Sequence, residues 1–253
     1  MGDKMAVIFA KALRDLPLIN SLNLCDNALT DEGASALLDA IMHLPNITSL
    51  DISMNKIDGN AASSLADYLK SKTCPLKTLT LAGADIDDSE CDRFITALKY
   101  NTTMTELDMS NNKIGVSETL NVVKPDFRTG SEALATFLMK TDCTLETLKL
   151  HWNMIRLDGA VTFANSLRFN TSLIYLDISY NSFGRHGGEA LGDALVENKT
   201  LRTLNLCGNS FNATACFTIC VGIEENFVIR NVVLGKLTCR RILSTMVSYI
   251  FSR

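Results

Sequence analysis

Leu145-Glu146-Thr147-Leu148-Lys149-Leu150-His151-Trp152-Asn153-Met154-Ile155 alternates apolar and polar residues through its middle, then breaks at an asparagine. A period of two predicts a short strand with one buried face. Asn153 falls where the chain leaves that strand, and its amide can pair backbone groups that the bend leaves without partners. The same pattern opens at Ile19, Ile47, Leu76, Met104, Leu145, Leu173, Leu201 and Ile229, in steps of 28, 29, 28, 41, 28, 28 and 28 residues. So regular a period predicts stacked units over the whole of residues 1–253, one domain and not several. The asparagine slot holds Asn27, Asn55, Asn112, Asn181 and Asn209, but Ala84 in the third unit and Leu237 in the last. Those two bends are expected to be less well tied.

The second half of each unit reads as a helix. In Gly188–Asn198, Leu191, Ala194 and Leu195 lie at i, i+3 and i+4, one helical face. Strand, bend, helix and turn within one period predict an α/β solenoid, a horseshoe with parallel strands inside and helices outside. One unit cannot bury its own apolar face. At roughly 1.5–3 kcal/mol per fully buried aliphatic side chain, the core comes from stacking neighbours.

The pattern L-x-x-L-x-L-x-x-N-x-L, with long helical halves, resembles the leucine-rich repeat family in its ribonuclease-inhibitor-like class. The resemblance covers nearly the whole chain and implies the horseshoe fold. Function is implied only broadly, since that class contains nuclease inhibitors, innate immune sensors, GTPase-activating proteins and cytoskeletal scaffolds.

Composition narrows the field. Net charge is −4, with both signs spread along the units and no basic stripe or aromatic platform for nucleic acid. No apolar run reaches the ~18–20 residues of a membrane span, and Met5–Ala10 is too short for a secretory signal. Met1-Gly2 begins like a myristoylation site, but Ala6 stands where Ser or Thr is needed. Six of the eight cysteines recur at equivalent slots, Cys25 with Cys207, Cys91 with Cys216 and Cys74 with Cys143, as small apolar fillers do. Cys216 and Cys220 have a helical i, i+4 spacing without a histidine or second pair, so no metal or cofactor is expected. Structural thiols favour a reducing, cytoplasmic compartment. Four of five Asn-x-Ser/Thr triplets, at Asn46, Asn101, Asn170 and Asn198, fall at the turn after a helix and read as turn chemistry; the fifth is at Asn212.

Lys11–Pro17 matches Asp39–Pro45 at an offset of 28, so residues 3–18 read as the helical half of a unit without its strand. Met5, Val7, Ile8 and Phe9 are not a polar cap. This predicts a piece of a longer repeat protein, or a first helix that docks on a partner. Residues 239–253, with Ile242, Leu243, Met246, Ile250 and Phe251, read as one last helix.

Residues between the strand leucines face the concave side. Units four to six there bring together Glu106, Asp108, Lys149, His151, Trp152, Tyr175, Asp177 and Tyr180, and Trp152 is the only tryptophan. Trp and Tyr are enriched where binding energy concentrates, although Trp152 and Tyr180 could simply stack on one another. The 41-residue step adds an insertion, residues 115–130, carrying Phe127 and Arg128 beside the same units. The expected function is a non-enzymatic scaffold that binds another protein through these ten residues. His186, read as a loop residue, has no nucleophile at a recognisable spacing, and no catalytic residue is assigned. Two alternatives stand beside the scaffold. The fold is similar to the Ran GTPase activator family, whose essential loop arginine Arg128 would match, with a small GTPase as partner; here the order Phe127-Arg128-Thr129-Gly130 departs from that family's Phe-Thr-Gly-Arg. The other is a ligand-sensing repeat fragment of a larger receptor or of a cytoskeletal or ciliary protein.

Overall fold

The computed structural model describes residues 1–119 and 128–235. In chain order come α1 (Asp3–Leu13), β1 (Ser21–Asn23), α2 (Asp31–Ile41), β2 (Ser49–Asp51), α3 (Gly59–Lys70), β3 (Thr78–Thr80), α4 (Asp88–Leu98) and β4 (Glu106–Asp108). A 3-10 turn (Val116–Thr119) opens the insertion, and α5 (Gly130–Leu138), β5 (Thr147–Lys149), α6 (Leu157–Ser166) and β6 (Tyr175–Asp177) follow. The described chain ends with α7 (Gly184–Glu197), β7 (Thr203–Asn205), α8 (Ala213–Glu225) and β8 (Asn231–Val233).

The strands form one parallel sheet in sequence order, β1 to β8. Their register puts Leu22, Leu50, Leu79, Leu107, Leu148, Leu176, Leu204 and Val232 in one line. From Leu50 to Leu204 these leucines are buried between sheet and helices, so each ladder leucine contributes roughly 1.5–3 kcal/mol. The solenoid with inner strands and outer helices is therefore the observed architecture.

Side-chain amides lock each bend to its neighbour. Asn112 donates to the carbonyls of Leu81, Met109 and Ser110 and accepts from the amides of Ala84 and Ile86. Asn55 does the same two turns upstream. The third unit lacks this device but is tied differently: the Ala84 carbonyl accepts from the Ile57 amide at 3.1 Å. Leu237 and residues 239–253 lie outside the described residues. A second asparagine series sits after the helices, where Asn101, Asn170, Asn198 and Asn226 are buried. Each donates to a carbonyl of the preceding unit and accepts amides within its own turn. The turn chemistry expected at Asn101, Asn170 and Asn198 is present.

Aspartates link the helix starts. Asp3 accepts from the Thr30 and Gly33 amides, Asp31 from the Ala61 amide. Buried Asp88 accepts from Gly115 (2.7 Å) and Ser117 (2.8 Å) at one end of the insertion and from Gly130 (2.8 Å) at the other. His186 is a correction: it lies in the first turn of α7, not in a loop. Gly187 and Gly188 make close packing room, since a Cβ on either would run into Ala160 and Phe183 or Ala215 and Phe211. Cys74, Cys91 and Cys216 are buried fillers in the core. At the first helix Met5 and Ile8 are exposed, while Phe9 packs partly against the core.

Candidate functional site on the concave face

Three strands turn over their last residue through the same local device. Asp51, Asp108 and Asp177 accept the amide of the serine two residues on, Ser53, Ser110 and Ser179, at 3.0, 3.0 and 2.9 Å. A short acidic side chain that bonds forward along its own backbone is a natural strand terminator. Asp108 and Asp177 are thus structural acceptors before they are anything else. Asp177 is buried, and takes Ser179 Oγ at 2.6 Å and Asn205 Nδ2 at 2.9 Å besides.

The fifth unit breaks the series by placing Lys149 and His151 where its neighbours carry aspartate and serine. Both then find partners sideways. Lys149 Nζ lies 2.8 Å from Glu106 Oε1 and 3.9 Å from Asp108 Oδ2. Partial burial pulls its pKa down, but bonding to Glu106 and the charges of Glu106 and Asp108 hold it above the ordinary lysine value. His151 Nδ1 is 2.8 Å from Ser110 Oγ and 3.9 Å from Asp177 Oδ2. Tyr175, half-buried on the neighbouring strand opposite Thr147, has its phenol pKa raised by desolvation and then by the Asp177 charge. A continuous polar network therefore runs across β4 to β7. Ser110, Ser179 and Asn205 belong to it and were not among the expected residues. The recurrence of Asp-x-Ser at 51, 108 and 177 is the signal that points to the two serines.

This network is not arranged for nucleophilic chemistry. Ser110 is fully buried, and it meets the same ring nitrogen of His151 that faces Asp177. A Ser–His–Asp relay needs hydroxyl and carboxylate on opposite ring nitrogens.

Beyond the strands the chain turns through a left-handed residue, and here that residue is Trp152 (φ 54°) or Tyr180 (φ 52°). Their rings stack with centroids 4.4 Å apart and planes within 3°. The Tyr180 ring also leans over Gly208, where a Cβ would collide with it. Stacking does not hide them: Trp152 is 57% and Tyr180 46% exposed.

The insertion does not join this cluster through its described part. Arg128 bonds Asp92, with its Nε at 2.8 Å from Oδ1, and Thr96 Oγ1 at 3.2 Å, both on α4 in the outer layer. The guanidinium is held by an ion pair on the helical side, away from Glu106 and Asp108. Phe127 lies outside the described residues. Among the described residues no group of His, Cys, Asp and Glu could hold a metal ion, and no helix is long and apolar enough to cross a membrane.

Four stretches, residues 16–38, 43–66, 100–117 and 169–192, match the family model described as Leucine Rich repeat. The chain is 29% identical over 185 residues to NACHT, LRR and PYD domains-containing protein 12 of Mus musculus, covering 69% of this chain and 16% of that one. It is 25% identical over 169 residues to Ribonuclease inhibitor of Sus scrofa, covering 66% and 34%. It spans well under half the length of either. Among solved structures, an internalin of Listeria monocytogenes aligns at 17% identity and a TM-score of 0.46, over 89% of this chain and 64% of the other.

Proposed function

We infer that this chain, a leucine-rich repeat protein of the ribonuclease-inhibitor-like class, is a non-enzymatic scaffold that grips another protein through the concave face of units four to six. The observation that carries this is the Trp152–Tyr180 pair. Two large aromatics sit half-exposed in backbone conformations that disfavour side chains of their kind. Their own packing does not require that position, and an exposed aromatic pair beside a pre-ordered polar network has the make-up of a binding anchor. Glu106, Asp108, Lys149, His151 and Asp177 hold one another in place around Tyr175's strand, which lowers the ordering cost when a partner arrives. A relative named as an inhibitor of ribonuclease supports a protein as the ligand of such a face. Cys74 and Cys91, packed into the core as apolar fillers, support a reducing, cytoplasmic location.

Capture of the partner with the wild-type chain, followed by titration of Trp152→Ala and Tyr175→Ala, tests this. Each substitution is expected to weaken binding by about 2 kcal/mol, roughly thirtyfold in Kd. Unchanged affinity in the double variant would remove the site.

A further inference from the structure

The Trp152–Tyr180 stack is closed on one side only. A Cβ on Gly208 would collide with the Tyr180 ring, so the pair leans toward unit seven and rests on that glycine. On the other side the ladder parts. A Cβ on Gly83 would collide with Met54 Sδ and stand 3.3 Å from Asn111 Nδ2, so Met54 and Asn111 both lean over Gly83. Asn111, next to Trp152 in the ladder, therefore turns away from it. The outer face of the indole stays open, and the residue is 57% exposed.

Charge decides what that face can take. Across the eight strands the side chains carry four carboxylates, Asp51, Glu106, Asp108 and Asp177, and one ammonium, Lys149. A cation approaching the indole enters a negative field, and among aromatic rings the indole face attracts cations best. The neighbouring cations of the chain are committed elsewhere. Lys149 bonds Glu106, Lys113 pairs with Asp85, and Arg156 donates to the Val116 carbonyl. Among the described residues the cation set over a ring is Lys70, on Tyr100. A planar guanidinium suits the open face better than an ammonium, because it stacks flat and is more weakly hydrated.

We propose that the open face of Trp152 takes an arginine side chain of the partner, carried on a cationic segment that lies along the concave strands of units four to six. This rests on the reading of those units as the partner-facing surface and names the chemistry of what they hold. Arginine stacks on the indole while the rest of the segment meets the carboxylates of the strands.

Calorimetric titration of the full chain with three dodecapeptides, built of Gly-Arg, Gly-Lys or Gly-citrulline repeats, tests this. Trp152 fluorescence gives a second readout, since it is the only tryptophan. The arginine peptide is expected to bind about fivefold more tightly than the lysine peptide and to shift the Trp152 emission. The citrulline peptide, planar but uncharged, is expected to bind more weakly than both. In Trp152→Leu the arginine peptide is expected to fall to the affinity of the lysine peptide; Leu157 shows that this rim accepts leucine in a left-handed turn (φ 48°). Equal affinity for arginine and lysine, no binding by either, or an arginine preference that survives in Trp152→Leu would overturn the guanidinium site. A captured partner indifferent to Trp152→Ala and Tyr175→Ala would remove the surface reading instead, so the two failures are told apart.

Discussion

Trp152 and Tyr180 occupy a left-handed backbone position that other units give to Asp26, Met54, Gly83, Asn111 and Gly208, four of which are residue types that tolerate it at small cost. Relief of that conformation, ~1–2 kcal/mol, opposes the loss of an aromatic stack, ~0.5–1.5 kcal/mol. Trp152→Gly is therefore expected to change unfolding stability by less than about 1 kcal/mol in urea denaturation, whatever it does to binding. A loss above about 3 kcal/mol would make the indole a packing residue. The position was legible in the sequence, since its other occupants are mostly turn formers. The inward commitment of Asp177 was not, because it depends on Asn205 and His151 in neighbouring units. At the start of α4, burial and then the adjacent Asp87 push the Glu90 carboxyl up to about 7 from 4.5. Between those values the unfolded chain releases its proton before the folded one, so stability falls as pH rises from about 4.5 to 7. Glu90→Gln is expected to make that fall shallower, with a remainder from Glu118, whose carboxyl burial also raises. An unaltered pH profile of thermal unfolding would contradict this.

Among the elements, the insertion shows how a long step is accommodated without breaking the stack. Asp88 at the first turn of α4 closes it by holding Gly115, Ser117 and Gly130, so β4 and β5 pair in the same register as every other neighbouring pair. Asp88→Ala strands buried backbone donors, and hydrogen bonds to a charged acceptor contribute ~1.5–3 kcal/mol each. A loss of about 3 kcal/mol in chemical denaturation is expected, and a change within about 0.5 kcal/mol would show that the insertion closes by other means. The recurrence of Asp3, Asp31 and Asp88 at helix starts made this tie readable in principle. Placement of Arg128 was not readable: its partners Asp92 and Thr96 precede it by 36 and 32 residues, and nothing in the local sequence marks them. His186 was misplaced for a related reason. Gly187 and Gly188 look like loop residues, but they serve contact between neighbouring units.

For the whole molecule, the fold was legible because one short-range pattern repeats and each copy needs only its neighbours. Strand order, parallel pairing and helix placement follow from that period. What the concave face presents to a partner was only partly legible, because lateral side-chain pairing decides which groups remain outward. Two half-exposed aromatics do remain so, and the polar groups around them are cross-linked to one another. Hydroxyl-radical footprinting of the chain with its captured partner reads this most directly. Oxidation of Trp152 and Tyr180 is expected to drop in the complex while that of Phe169, exposed on the opposite rim after α6, stays unchanged. Undiminished oxidation of both aromatics, with protection appearing elsewhere, would contradict binding through units four to six.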